Sequence, residues 1–220
     1  MNISKENAAD ILSRVDHTLL KAFAKWEDIE KLCDEAVRCG TASVCIPACY
    51  VKRVSEKYKE KLCVCTVIGF PLGYSDTETK VFEARKAIEN GASEIDMVIN
   101  VTDVKNGDFD AVEKEIGALR DATKGKILKV IIETCYLTEE EKIKLCQIVT
   151  GQKADYIKTS TGFGTAGATV EDVRLFKENV GPDVKIKAAG GIRTVEDAVA
   201  MIEAGADRLG TSALVSLLAE

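Results

Sequence analysis

Lys185-Ile186-Lys187-Ala188-Ala189-Gly190-Gly191-Ile192-Arg193-Thr194, continued by an apolar segment at 195–203, Gly205 and Arg208-Leu209-Gly210, is the stretch on which the fold turns. Residues 185–188, Lys-Ile-Lys-Ala, read as a short strand. Two glycines follow, and then a threonine suited to cap a helix. Positions 195–203 carry apolar residues at helical spacing, Gly205 stops the helix, and 208–210 returns to strand character. Strand, loop, helix and strand in this order make a crossover unit, whose two strands run parallel.

The same alternation extends outward in both directions. Strands are expected at 14–18, 43–46, 63–68, 94–98, 127–132, 156–158, 185–188 and 208–210. Helical spacing covers 28–37, 77–90, 109–121, 139–149, 170–180 and 195–203, with Ser75, Thr138, Thr169 and Thr194 as candidate N-caps. Continuously apolar strands between helices indicate a parallel sheet covered on both faces. Eight such units in 220 residues predict an α/β fold, a single (β/α)8 TIM barrel with a short N-terminal helix, spanning 1–220 as one domain. The competing open, doubly wound sheet would place Gly-x-Gly-x-x-Gly after its first strand, and that motif is missing there.

Composition narrows the partners. The formal net charge of −6 disfavours nucleic acid and anionic membranes, so an anionic ligand needs a local positive site. Apolar runs are too short to span a bilayer, and the first ten residues are too polar for a secretory signal, which predicts a cytoplasmic protein. Eight cysteines occur with no Cys-x-x-Cys spacing and one histidine, His17. Reduced thiols are therefore expected, with no metal and no cofactor.

In such a barrel the chemistry gathers at the C-terminal ends of the strands. Those ends bring forward Asp16, Cys45, Asp96, Lys158, Lys187 and the loop Ala189-Gly190-Gly191. Lys158 closes the run Tyr156-Ile157-Lys158 and is followed by Thr159-Ser160-Thr161-Gly162. An amine held at a buried strand end is a candidate nucleophile toward a carbonyl; the alternative is a lysine snorkelling to solvent. Lys187 ends the neighbouring strand, and Asp96 is a carboxylate suited either to proton transfer or to a structural salt bridge with these lysines. Gly190-Gly191 and Gly210-Thr211-Ser212 follow the seventh and eighth strands, where this fold commonly grips a phosphate. Together these groups predict iminium chemistry on a phosphosugar.

At this point the sequence resembles the deoxyribose-phosphate aldolase family. The matching segments are Asp16-His17-Thr18-Leu19-Leu20-Lys21, Ser43-Val44-Cys45, Val67-Ile68-Gly69-Phe70-Pro71-Leu72-Gly73, Glu94-Ile95-Asp96-Met97-Val98-Ile99-Asn100, Lys158-Thr159-Ser160-Thr161-Gly162 and Lys187-Ala188-Ala189-Gly190-Gly191-Ile192-Arg193. The resemblance implies a class I aldolase, a carbon–carbon lyase that reversibly splits 2-deoxy-D-ribose 5-phosphate into D-glyceraldehyde 3-phosphate and acetaldehyde. It implies that Lys158 forms the Schiff base and that Asp96 and Lys187 carry protons. Asp16 would sit near the reactive centre, with Thr18 lining the pocket and Cys45 close enough to matter for inactivation by reactive aldehydes. Gly190, Gly191 and Ser212 would hold the phosphate, with Thr161 nearby.

Small-molecule phosphosugar and aldehyde partners are expected, with the chain in a homo-oligomer, dimer or tetramer. Three departures stand out. Phe163 occupies a position where some members carry a phosphate-binding lysine, Ala213 follows Ser212 where others have a second serine, and the terminal tyrosine of some members is missing. A transaldolase-type enzyme, which would use a ketose donor, and a catalytically silent sugar-phosphate binder are the rival readings.

Overall fold

The computed structural model describes residues 5–218; residues 1–4 and 219–220, and with them the end of the C-terminal segment, lie outside the described residues. Eight parallel strands form a closed barrel in sequence order: β1 (Val15–Thr18), β2 (Ser43–Ile46), β3 (Val64–Ile68), β4 (Glu94–Val98), β5 (Ile127–Ile131), β6 (Tyr156–Lys158), β7 (Lys185–Ala189) and β8 (Arg208–Thr211). The last strand returns to the first, with Asp16 opposite Gly210 and His17 opposite Thr211. Every residue of β2, β4 and β6 is buried, as expected for strands covered by side chains on one face and helices on the other.

Among the described residues ten α-helices accompany the strands: α1 (Lys5–Ser13), α2 (Trp26–Cys39), α3 (Ala48–Tyr58), α4 (Thr77–Glu89), α5 (Val101–Lys105), α6 (Phe109–Ala122), α7 (Glu139–Gly151), α8 (Val170–Asn179), α9 (Val195–Ala204) and α10 (Leu214–Leu218). Their apolar stripes face the barrel. In α2, Ile29, Leu32, Cys33 and Ala36 are buried at the i, i+3, i+4, i+7 spacing of one helix face. Thr138, Thr169 and Thr194 cap α7, α8 and α9 as expected, their hydroxyls accepting from the N–H groups of Glu141, Asp172 and Asp197.

Ser75 does not cap α4. The N-cap is Asp76, whose side chain makes no capping bond. Helix α2 starts two residues before the expected 28, because Asp28 accepts from the Lys25 N–H and closes the first turn. Two helices escaped the sequence reading. Helix α3 buries Val51, Val54 and Tyr58 among charged neighbours, a sparse stripe, and α5 is a five-residue turn capped by the Asn100 side chain. Among the described residues no helix is long and apolar enough to cross a membrane.

Register decides what fills the barrel. On parallel strands, residues paired in register share a face. That places Asp96 beside Lys129, Lys158 beside Lys187, and Lys187 beside Arg208. A charged layer therefore stands where barrels usually stack branched apolar side chains.

Candidate active site

Lys158, Asp96 and Lys187 meet at one atom. Oδ2 of Asp96 accepts from Nζ of Lys158 at 2.7 Å and from Nζ of Lys187 at 2.7 Å. Its other oxygen, Oδ1, accepts from Nζ of Lys129 at 2.8 Å and from the Cys65 thiol at 3.1 Å. Lys187 also donates to Asp16, which accepts from Ser43 at 2.7 Å and from Arg208 at 2.5 Å. Glu94 completes the set, 2.6 Å from Lys129 and 3.3 Å from Arg208. Four cationic side chains (Lys129, Lys158, Lys187, Arg208) thus interleave with three carboxylates (Asp16, Glu94, Asp96).

Three cations adjacent in register would repel strongly in this dry interior; the interleaved carboxylates are what permit them. Burial alone would raise the Asp96 carboxyl, yet Lys129, Lys158 and Lys187 outweigh it and hold it well below the usual carboxylate range. Burial likewise opposes ionisation of Asp16, and Lys129, Lys187 and Arg208 overcome it. The lysines show the mirror image. Desolvation pulls Lys129 and Lys187 down, while Asp16 and Asp96 lift both above the ordinary lysine value. Lys187 is therefore a fixed ammonium. Lys158 and Lys187, neighbours on adjacent strands, share one carboxylate oxygen that offsets their mutual repulsion.

Above this layer opens a cleft of about 360 Å³. Thr18, Lys158, Thr161, Gly190, Gly191 and Ser212 line it, together with Phe163, Ala213 and the exposed side chains of Lys21 and Arg193. Asp16, Cys45, Asp96 and Lys187 do not reach its wall. Each is fully buried beneath it. Among the lysines of the cluster, Lys158 alone lines the cleft.

The loops around the cleft are stitched together. The Ala168 N–H is shared between the carbonyls of Ala189 and Gly190, at 3.1 and 3.0 Å, and the Thr211 hydroxyl donates to the Ile192 carbonyl at 2.8 Å. Gly190 and Gly191 both adopt positive φ, +81° and +80°, which glycine tolerates readily. A Cβ on Gly190 would also approach the Gly167 Cα to 3.1 Å.

Lys129, Glu94, Arg208 and Cys65 were missed from sequence. Lys129 carried a usable signal, a charge inside the otherwise apolar run of β5; the others sit at or near strand starts, away from the end where chemistry was sought. All eight cysteines are free thiols. Ligand-type atoms of Cys45, Cys65 and Asp96, and those of Asp16, Cys65 and Glu94, lie within 4.8 Å of one another. The Lys129 ammonium already stands beside Asp16, Glu94 and Asp96, 3.2 Å from the Cys65 sulfur.

The profile of the DeoC/LacD family aldolases matches residues 11–219. The chain belongs to this aldolase family. It is 62% identical over 212 residues to the deoxyribose-phosphate aldolase of Clostridium botulinum (strain Alaska E43 / Type E3), covering 96% of each. It is also 62% identical over 208 residues to the deoxyribose-phosphate aldolase of Clostridioides difficile (strain 630), covering 94% of this chain and 95% of the relative. The tetrameric deoxyribose-phosphate aldolase of Aeropyrum pernix superposes with a TM-score of 0.90 at 33% identity, over 97% of this aldolase and 92% of that chain.

Proposed function

We propose that this chain is a deoxyribose-phosphate aldolase that reversibly cleaves 2-deoxy-D-ribose 5-phosphate to D-glyceraldehyde 3-phosphate and acetaldehyde through a Schiff base on Lys158. The observation that carries the reading is the placement of Lys158, the lysine of the buried cluster that faces the cleft, with its amine 2.7 Å from Asp96. Family membership and the named relatives support the substrate.

The neutral amine of Lys158 adds to the C1 aldehyde of the open-chain sugar. Loss of water gives an iminium, which draws electrons from the C2–C3 bond as the C3 hydroxyl gives up its proton. Glyceraldehyde 3-phosphate leaves, and the remaining enamine takes a proton at C2 and is hydrolysed to acetaldehyde. Asp96, hydrogen-bonded to the reacting nitrogen, is the carboxylate in reach of the protons that Lys158 loses and regains. Lys187, held as an ammonium, donates to that same carboxylate oxygen and sets its charge and orientation. Asp16 anchors Lys187 from below, and Thr18 borders the cleft above it. Cys45 lies beneath the same floor.

The phosphate is held by the backbone of Gly190 and Gly191 and by Ser212. The Ala213 N–H is already engaged by the Thr211 hydroxyl at 3.1 Å, so that turn offers the ligand less than its sequence suggests. Lys21 and Arg193 bring positive charge to the cleft in place of the lysine that Phe163 replaces. The active unit is a homo-oligomer.

Borohydride reduction in the presence of deoxyribose 5-phosphate tests the mechanism. The peptide carrying Lys158 should gain the mass of the reduced adduct, and Lys158→Ala should lose both the adduct and glyceraldehyde 3-phosphate release. An adduct on another lysine overturns the assignment, and a ketose donor working better than acetaldehyde would move the protein to the transaldolase type.

A further inference from the structure

Glu133 follows β5 in the left-handed backbone region, φ +53°, which residues other than glycine seldom adopt. Its side chain is 3% exposed, and among the described residues no cation pairs with it. The ladder between the ends of β5 and β6 explains the conformation. The Ile132 N–H donates to the Lys158 carbonyl at 3.1 Å and the Thr134 N–H to the Thr159 carbonyl at 2.9 Å, so the turn at Glu133 aims its side chain toward the next residues of the β6 loop. There the carboxylate takes over from the backbone. It accepts from the Thr161 N–H at 3.2 and 3.3 Å, one distance to each oxygen, and the Thr161 hydroxyl donates to its Oε2. The Thr161 oxygen in turn accepts from the Phe163 N–H at 3.0 Å.

We propose that Glu133 is a positioning residue of the active site, whose buried carboxylate fixes Thr161 and through it the cleft wall made by Thr161, Gly162 and Phe163. A buried carboxylate without a counter-ion is costly unless donors converge on it; apart from a long contact from the Cys135 thiol at 3.9 Å, the donors here belong to Thr161 of that wall. The Thr161 hydroxyl proton is committed to Glu133 and one lone pair to Phe163, so the orientation of this side chain is set before any ligand arrives. Lys158 and its hydrogen bond to Asp96 lie on the other side of Thr159 and do not depend on Glu133.

The inference rests on the aldolase reading and predicts a split in the kinetics. In Glu133→Gln the amide keeps one acceptor and turns a donor toward Thr161, losing about one charge-assisted bond. KM for deoxyribose 5-phosphate should rise about tenfold. Borohydride trapping of Lys158 by acetaldehyde, which is too small to reach the loop, should stay within about twofold of the parent. Gly164→Ala is the second variant: its Cβ would lie 3.1 Å from Cδ and Oε1 of Glu133 and 2.9 Å from the Cys135 sulfur, displacing the carboxylate without removing it. It should raise KM in the same direction and decides the matter if Glu133→Gln fails to fold. A parental KM in a folded variant overturns the proposal, as does a loss of acetaldehyde trapping equal to the change in KM, which marks a general structural role. A parent enzyme that forms no adduct with acetaldehyde overturns the aldolase reading and this inference with it.

Discussion

Replacing Lys129 with methionine tests the charged layer most directly. Methionine fills nearly the same volume but removes a fully buried ammonium that stands 2.6 Å from Glu94, 2.8 Å from Asp96 and 3.5 Å from Asp16. Removing one partner of a buried ion pair typically costs about 3–5 kcal/mol, because the other charge is left without compensation. Three carboxylates lose a partner here, but Lys187, Lys158 and Arg208 remain to share them, so that range is kept. For a chain of this size, about 1 kcal/mol moves the unfolding midpoint by about 2–4 °C. Lys129→Met should therefore lower the midpoint by about 6–20 °C. The assay is thermal and urea unfolding followed by circular dichroism, with the exposed Lys124→Met as control, expected within about 0.5 kcal/mol of the parent. A Lys129→Met loss below about 1 kcal/mol would refute the account of the barrel interior as an interdependent set of charges.

Other outcomes follow from the same geometry. Asp16 and Asp96 titrate lower in the folded state than their ordinary value of 3.8, so their contribution is complete above that value and drains away as pH falls through it; Lys129 and Lys187 titrate above 10.5, so theirs is complete below that value and is lost as pH rises beyond it. Unfolding midpoints should be flat with respect to this cluster between these limits, and the deficit of Lys129→Met should shrink on the acid side, as urea titrations at stepped pH would register. Gly190→Ala strains a φ of +81° and presses on Gly167, so KM for the phosphosugar should rise severalfold or more, with acetaldehyde trapping on Lys158 nearly unchanged in the same preparation. Phe163→Lys trades an edge-on contact with Phe70, ring centroids 5.4 Å apart, for a cation at the cleft; KM for deoxyribose 5-phosphate should fall severalfold, and steeper salt dependence in steady-state assays would accompany it.

The architecture was legible because short apolar strands and capped helices are local features. The bounds of β2, β4 and β6 match the expectation, and the others differ by a residue at an end. Helix α3 was hidden because three buried positions among lysines and arginines give little periodicity, although Pro47 at its cap marks a start. The site was legible as a set of strand ends, and Lys158, Thr18, Thr161, Gly190, Gly191 and Ser212 do line one cleft. Depth was not legible. Whether Asp16 or Cys45 faces the cleft or lies below it depends on the stagger of neighbouring strands, and no stretch of sequence carries that. Lys129 shows the same limit from the other side, since its partners Glu94 and Asp96 come from the neighbouring β4 and Asp16 from β1, across the barrel interior. Glu133 is legible only once β5 and β6 are seen side by side.

The contact between Asp16 and its partners Lys187 and Arg208 joins the first strand to the last two, across 171 and 192 residues. Until β8 meets β1, Asp16 has neither of these partners, and Lys187 and Arg208 are left with Asp96 and Glu94 alone. A sheet of fewer than eight strands would hold lysines facing an open edge and a carboxylate facing nothing. The charged layer therefore works as a closure sensor for the chain: it penalises every partly assembled barrel and rewards only the complete ring, so half-barrel fragments should stay unfolded while the whole chain folds in one cooperative step.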